Sequence, residues 1–231
     1  MKEGVSEFYD RYSKSQLKTG VHLRHYTLLH KLKKAGLKKD SVVLEVGCGI
    51  GTLTGLLGSY VSRGKIIATD ISPESIDMAK KLNEKYPHIE FVVSDMMDFV
   101  PKEKIDFVVF PDVLEHIPRE NHNRIFQNIC KAIHPGSKFA IHIPDPVNLD
   151  YIRKFQPDLL QIIDQSLYVE DLVQAMANTP LMLDTYERYC LFSKFPDYNW
   201  ITLSVKKPLE QQQKRSKAIM KVIELYRKFN A

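Results

Sequence analysis

Glu45, three glycines on alternate positions (Gly47, Gly49 and Gly51), Asp70, Asp95 and the pair Glu115-His116 are the residues of this chain best suited to chemistry. Asp70 follows the last glycine by nineteen residues. The glycines lack Cβ atoms where the chain must turn sharply, so a ligand can approach the backbone. An acid at the spacing of Asp70 suits the diol of a ribose. Thr52-Leu53-Thr54-Gly55-Leu56-Leu57 then reads as the start of a helix whose free N–H groups favour a ligand carboxylate. The pattern describes a nucleoside-binding βαβ unit. It departs from the dinucleotide fingerprint, because Gly51 comes one residue early and Thr52 holds the third glycine position. Glu45 would repel a pyrophosphate and suit an ammonium or sulfonium.

The elements that must position these groups alternate between β and α. The apolar run at 42–46 and those at 65–69, 90–93, 105–110 and 138–143 read as buried parallel strands. Between them lie helices expected to about Tyr60, from Pro73 to about Lys85 with Ser72 as N-cap, and from Pro118 to about Ile133. Pro135-Gly136 is expected to break the chain before the fifth strand. A helix is expected over 5–35, ended by Gly36, and helical segments over 147–166 (broken at Pro157) and 168–178. Two β-rich runs, 181–192 and 198–205, close the core, and a basic amphipathic helix follows Pro208. In an open parallel sheet, ligands bind at the carboxyl ends of the strands. Asp70 and Ile71 after the second strand offer an acid for ribose hydroxyls and an aliphatic face for a base.

Residues 42–51 with Asp70 resemble motifs I and II of the class I S-adenosylmethionine-dependent methyltransferases, and the resemblance continues over about residues 40–205. It implies an α/β, Rossmann-like fold: a mostly parallel seven-stranded sheet with helices on both faces and the last strand antiparallel between its neighbours. It also implies that Asp95 accepts from the adenine amino group while the Met96 N–H reaches the ring. Asp112-Val113-Leu114-Glu115-His116 resembles the fourth motif of the small-molecule branch, which brings the backbone near Phe110 to the methionine end of the cofactor. Glu115-His116 then faces the methyl group, with His116 as the candidate catalytic general base or, alternatively, only hydrogen-bonding the loop or the cofactor while proximity does the catalysis. The cofactor set is therefore Glu45, Gly47, Gly49, Gly51, Asp70, Ile71, Asp95, Met96 and Phe110, around S-adenosyl-L-methionine with S-adenosyl-L-homocysteine as product. The Asn/Asp-Pro-Pro-Tyr/Phe motif is absent, since Phe110-Pro111-Asp112-Val113 stands in its place. No metal set is recognisable; His22, His25 and His30 suit a surface or lid role.

The expected reaction is methyl transfer to an oxygen, or second a nitrogen, of a small or medium-sized metabolite. Two alternatives stay open: a lipid or RNA methyltransferase, and a catalytically silent adenosyl-binding interaction domain. Charge bears on the first. The chain of 231 residues has net charge +5, with +6 in 1–40, −5 in 41–207 and +4 in 208–231. Basic ends suit an anionic substrate, a membrane surface or nucleic acid. A small-molecule acceptor is the expected partner; nucleic acid is not, peripheral membrane contact stays open, and so does the oligomeric state. The division expected is an N-terminal helical cap (1–40), a catalytic domain (41–207) with a lid insertion near 147–178, and a basic C-terminal helix (208–231). Phe8, Tyr9, Tyr12, Arg24, His25 and Tyr26 are expected in the lid, together with Tyr151, Arg153, Lys154 and Phe155. No apolar stretch approaches the ~20 residues of a membrane span, the N-terminus lacks the apolar core of a signal peptide, and three cysteines without metal spacing fit reduced thiols. The expected location is cytoplasmic.

Overall fold

The computed structural model describes residues 17–207 and 215–229. A single sheet carries the order β3-β2-β1-β4-β5-β7-β6, from strands β1 (Val42–Val46), β2 (Lys65–Asp70), β3 (Ile89–Val93), β4 (Ile105–Pro111), β5 (Ile133–Pro144), β6 (Leu181–Tyr189) and β7 (Tyr198–Val205). The first five pair in parallel, and β7 runs antiparallel between β5 and β6. The seven-stranded, mostly parallel α/β expectation holds.

Strand periodicity splits the core between the two faces. Val43 joins Leu28, Leu32, Leu57 and Ile76 on one side, under α1 (Leu23–Ala35), α2 (Thr52–Tyr60) and α3 (Pro73–Leu82). Its neighbour Leu44 joins Phe110, Phe126 and Phe139 on the other, under α4 (Arg119–Cys130). Those rings stack in series, with centroids 5.5 and 5.9 Å apart. Each such fully buried side chain contributes roughly 1.5–3 kcal/mol. Because both faces are covered, β1 and β4 read as continuous apolar runs.

Local chemistry sets the helix ends. Ser72 Oγ accepts from Ser75 N (2.9 Å) ahead of Pro73, and Asp145 caps α5 (Pro146–Phe155) through Val147 N and Asn148 N. Two short segments, α6 (Val169–Ala175) and α7 (Lys217–Phe229), complete the helices.

The differences from expectation have local causes. The helix foreseen over 5–35 is interrupted: Gly20 and the extended N-cap His22 separate the helical residues 17–19 from α1. Its part before residue 17 lies outside the described residues. Pro135-Gly136 does not precede β5 but forms a bulge inside it, and the register slips between Ile105 and Phe107. α4 ends at Cys130, three residues short, because Ile133 already pairs with Ile105. Between Phe155 and residue 166 only the short 3₁₀ turn Pro157–Leu159 is helical, since Pro157 cannot donate to the preceding turn.

Candidate functional site

A cavity of about 580 Å³ opens at the carboxyl ends of β1, β2, β3 and β4. One wall is the turn after β1. Gly47 N and Cys48 N donate to Thr69 O (2.8 and 2.9 Å), which locks this turn onto β2. Gly47 sits at φ 74°, and a Cβ there would lie 2.4 Å from Val113 Cγ2, so the β4 loop closes directly on the glycine turn. Gly49 N donates to Asp70 Oδ2 (2.8 Å) and Ser72 N to Asp70 Oδ1 (3.0 Å). The carboxylate is thereby aimed before any ligand arrives.

Glu45 is fully buried on this wall, and neither carboxylate oxygen has a hydrogen-bond partner. Burial pushes it up to about 8, slightly eased by the Thr54 hydroxyl and reinforced by Asp70. A buried orphan carboxyl is costly, and an incoming cation is the group that would satisfy it. Asp95 holds its own turn, accepting from Met97 N (2.9 Å). Met96 adopts φ 65° with its side chain turned inward, 1% exposed. Ile71 presents an apolar side chain to the cavity with 36% exposure.

Eight of the ten residues expected at the site line this one cavity. Gly51 and Phe110 do not. Gly51, at φ 80°, backs onto Asn83, whose Nδ2 donates to Gly51 O (3.1 Å); it shapes the turn from behind. Phe110 points into the aromatic stack, and Pro111 and Asp112 take its place on the wall.

The opposite wall is built from distant segments. Arg24, at the start of α1, pairs with Asp112 at 2.9 Å, and Asp112 Oδ1 accepts from His142 Nδ1 (2.6 Å). His142 Nε2 meets the Tyr189 hydroxyl at 2.7 Å, while the His142 ring stacks on Tyr198 at 4.5 Å. Burial opposes ionisation of Asp112, but Arg24 and His142 outweigh it and hold it at about 2. Asp112 reaches this position at φ 57°. Of this network the sequence exposes only Arg24, as a lid cation; a histidine inside an apolar strand gives no periodic signal. Of the other lid residues foreseen, His25 lines the cavity, whereas Phe8, Tyr9 and Tyr12 lie outside the described residues.

Between the walls, the 3₁₀ turn Leu114–His116 carries Glu115 and His116. Glu115 is 1% exposed, lines the cavity, and has no hydrogen-bond partner for either oxygen. Burial pushes its carboxyl above the usual range, although His116 pulls it back. His116 Nδ1 donates to Ile163 O (2.6 Å) and lies 3.1 Å from Asp164. Burial disfavours the imidazolium, yet Glu115, Asp164 and the Ile163 carbonyl together raise His116 to about 9. Gln165 adds three bonds, from its N and its Nε2 to Glu115 O and from its Nε2 to Ile117 O. Segment 163–165 is thus fastened to the β4 loop, with Ile163 and Asp164 lining the cavity.

Comparison with known proteins agrees with this geometry. Residues 43–136 match the family model for a methyltransferase domain. The chain is 27% identical over 132 residues to malonyl-[acyl-carrier protein] O-methyltransferase 1 of Ilyobacter polytropus, covering 57% of this chain and 46% of that one. The chain therefore spans less than half the length of this curated relative. Among solved structures, an S-adenosylmethionine-dependent methyltransferase from Clostridium acetobutylicum superposes with TM-score 0.66 at 14% identity, covering 86% of this chain and 98% of that one. The N-methyltransferase NodS from Bradyrhizobium japonicum gives 0.61 at 19%, covering 80% and 95%. A glycine turn, an aimed acid on the neighbouring strand and the matched segment have one common reading: residues 43–136 form a methyltransferase domain, within a fold shared with solved S-adenosylmethionine-dependent methyltransferases.

Proposed function

We propose that this protein transfers the methyl group of S-adenosylmethionine to an oxygen or nitrogen of a small or medium-sized metabolite. The observation that carries the reading is the buried, unsatisfied Glu45 beside a glycine turn and a pre-aimed Asp70. The residues present fit the cofactor. Asp70 and Gly49 would hold the ribose, Ile71 and the Asp95-Met96 turn the adenine, and Glu45 the cationic methionine end. When bound, the cofactor supplies an electrophilic methyl carbon on a good leaving group. The rest is placement, since in-line approach at contact distance supplies most of the acceleration.

The acceptor side carries the proton chemistry. In our reading His116 keeps its proton at neutral pH and acts as a positioning residue that ties Ile163 and Asp164 over the mouth. Glu115, on the cavity wall 3.8 Å from His116 Nε2, has its carboxyl pushed by burial up to about 8, and its ionised form is then the group that takes a proton from a hydroxyl or ammonium acceptor. Both acceptor atoms are kept, because one similar protein is an O-methyltransferase and another an N-methyltransferase. The division into cap (1–40), catalytic domain (41–207) with lid, and C-terminal helix (208–231) goes with this reading, as does a cytoplasmic location.

Calorimetric titration with S-adenosylhomocysteine, with NAD in a parallel cell, tests the proposal. Binding of the first and not the second is expected. NAD binding, or no binding of S-adenosylhomocysteine, would overturn it.

A further inference from the structure

Helix α7 differs from every other helix described: none of its thirteen residues is buried. Its exposed large apolar side chains range from 48% at Leu225 to 85% at Phe229, and Ile223 is partly covered. At 100° per residue, Ile219, Val222, Ile223, Leu225 and Phe229 fall within one arc of roughly 160°. Lys221 and Arg227 flank that arc symmetrically, each about 120° from its centre. Glu224, the helix's single acid, stands diametrically opposite the apolar centre. A helix this short is marginal in water without a surface to cover its apolar side.

Three covers can be compared by charge and shape. The N-terminal residues 1–16, with three bases and three acids, offer no net negative charge to a helix carrying Lys217, Lys221, Arg227 and Lys228. A second copy of α7 brings the same cations, spans fewer than two heptads, and calls for a narrow two-position seam rather than so broad an arc. A lipid surface fits each feature: a broad apolar face sinks into the acyl boundary, flanking cations reach the phosphates, and the acid points to water. No helix among the described residues is long and apolar enough to cross a membrane, so the contact is peripheral.

We propose that α7 docks this protein on anionic phospholipid surfaces, with Val222, Leu225 and Phe229 inserted at the headgroup boundary and Lys221 and Arg227 at the phosphates. This surface is independent of the cavity. The test is cosedimentation of the full chain with phosphatidylcholine vesicles, with and without one third phosphatidylglycerol. The protein should pellet with the anionic vesicles, release with rising salt, and leave the neutral ones. Val222→Asp with Leu225→Asp should weaken binding about tenfold or more. Lys221→Gln and Arg227→Gln should each weaken it about fivefold. Thermal unfolding identifies any variant with a disturbed fold, and the exposed positions make unchanged melting the expected result. Failure of the unaltered protein to bind anionic vesicles would overturn the proposal. So would undiminished binding by the aspartate variant, or a dimer in solution that this variant disperses.

Discussion

The two walls of the cavity are built over very different lengths of chain. On the glycine side, the decisive contacts join neighbouring strands: Gly47 and Cys48 to Thr69, Gly49 to Asp70. On the opposite side, Arg24 of α1 and Asp112 from the loop after β4 line the cavity, backed by His142 of β5 and Tyr189 of β6. The first wall is mostly backbone, and its geometry follows from the parallel register of β1 and β2. The second is side chains whose positions depend on one another. Under the proposed function, a site made this way would separate a fixed task, holding the cofactor, from a variable one, admitting an acceptor.

Substitutions should therefore divide by wall. Asp112→Asn leaves the Arg24 guanidinium buried without its counter-charge, and should cost about 3–5 kcal/mol in urea unfolding. A smaller loss would mean that water already compensates that wall. Gly47→Ala forces a Cβ against Val113 at a positive φ; S-adenosylhomocysteine affinity should fall about tenfold. Glu45 supplies a pH signature. Its folded value, about 8, exceeds the unfolded one, so the folded state holds the extra proton in between. Glu45 should accordingly make the cofactor-free protein less stable as pH rises from ~4.5 through 8, by at most ~1.4 kcal/mol per unit, on top of the same-signed shares of Glu115 and His116. Glu45→Gln should flatten that slope, and an unchanged slope would place the titration elsewhere. Ile71→Ala should be mildest, weakening cofactor binding about fivefold with melting unaltered.

Legibility followed the same division. The sheet could be read because β1, β4 and β5 are apolar runs bounded by glycine, proline or acid, and Ser72-Pro73 announces a helix. The glycine wall was legible because its contacts are local in sequence and carried by residue types with few other uses. Phe110 shows the limit: alternation along β4 turns its ring into the core, and only the following Pro111 and Asp112 reach the cavity. The bulge at Pro135-Gly136 was hidden because a proline-glycine pair ends a strand as readily as it kinks one. The second wall could not be read, since nothing in a single sequence links Arg24 to Asp112 or His142 to Tyr189. His116 drew attention as a base by its type, while its partner Ile163 O comes from a segment without periodicity.

The most direct measurement is calorimetric titration of S-adenosylhomocysteine into Asp70→Ala and His116→Ala beside the unaltered protein. Removing the charged hydrogen bonds of Asp70, each worth ~1.5–3 kcal/mol, should weaken binding roughly 10- to 150-fold. His116→Ala should stay within a few-fold of the unaltered protein, because its bonds fasten the lid over the acceptor side. Equal losses in both variants, or a larger loss at His116, would contradict the separation of the two walls.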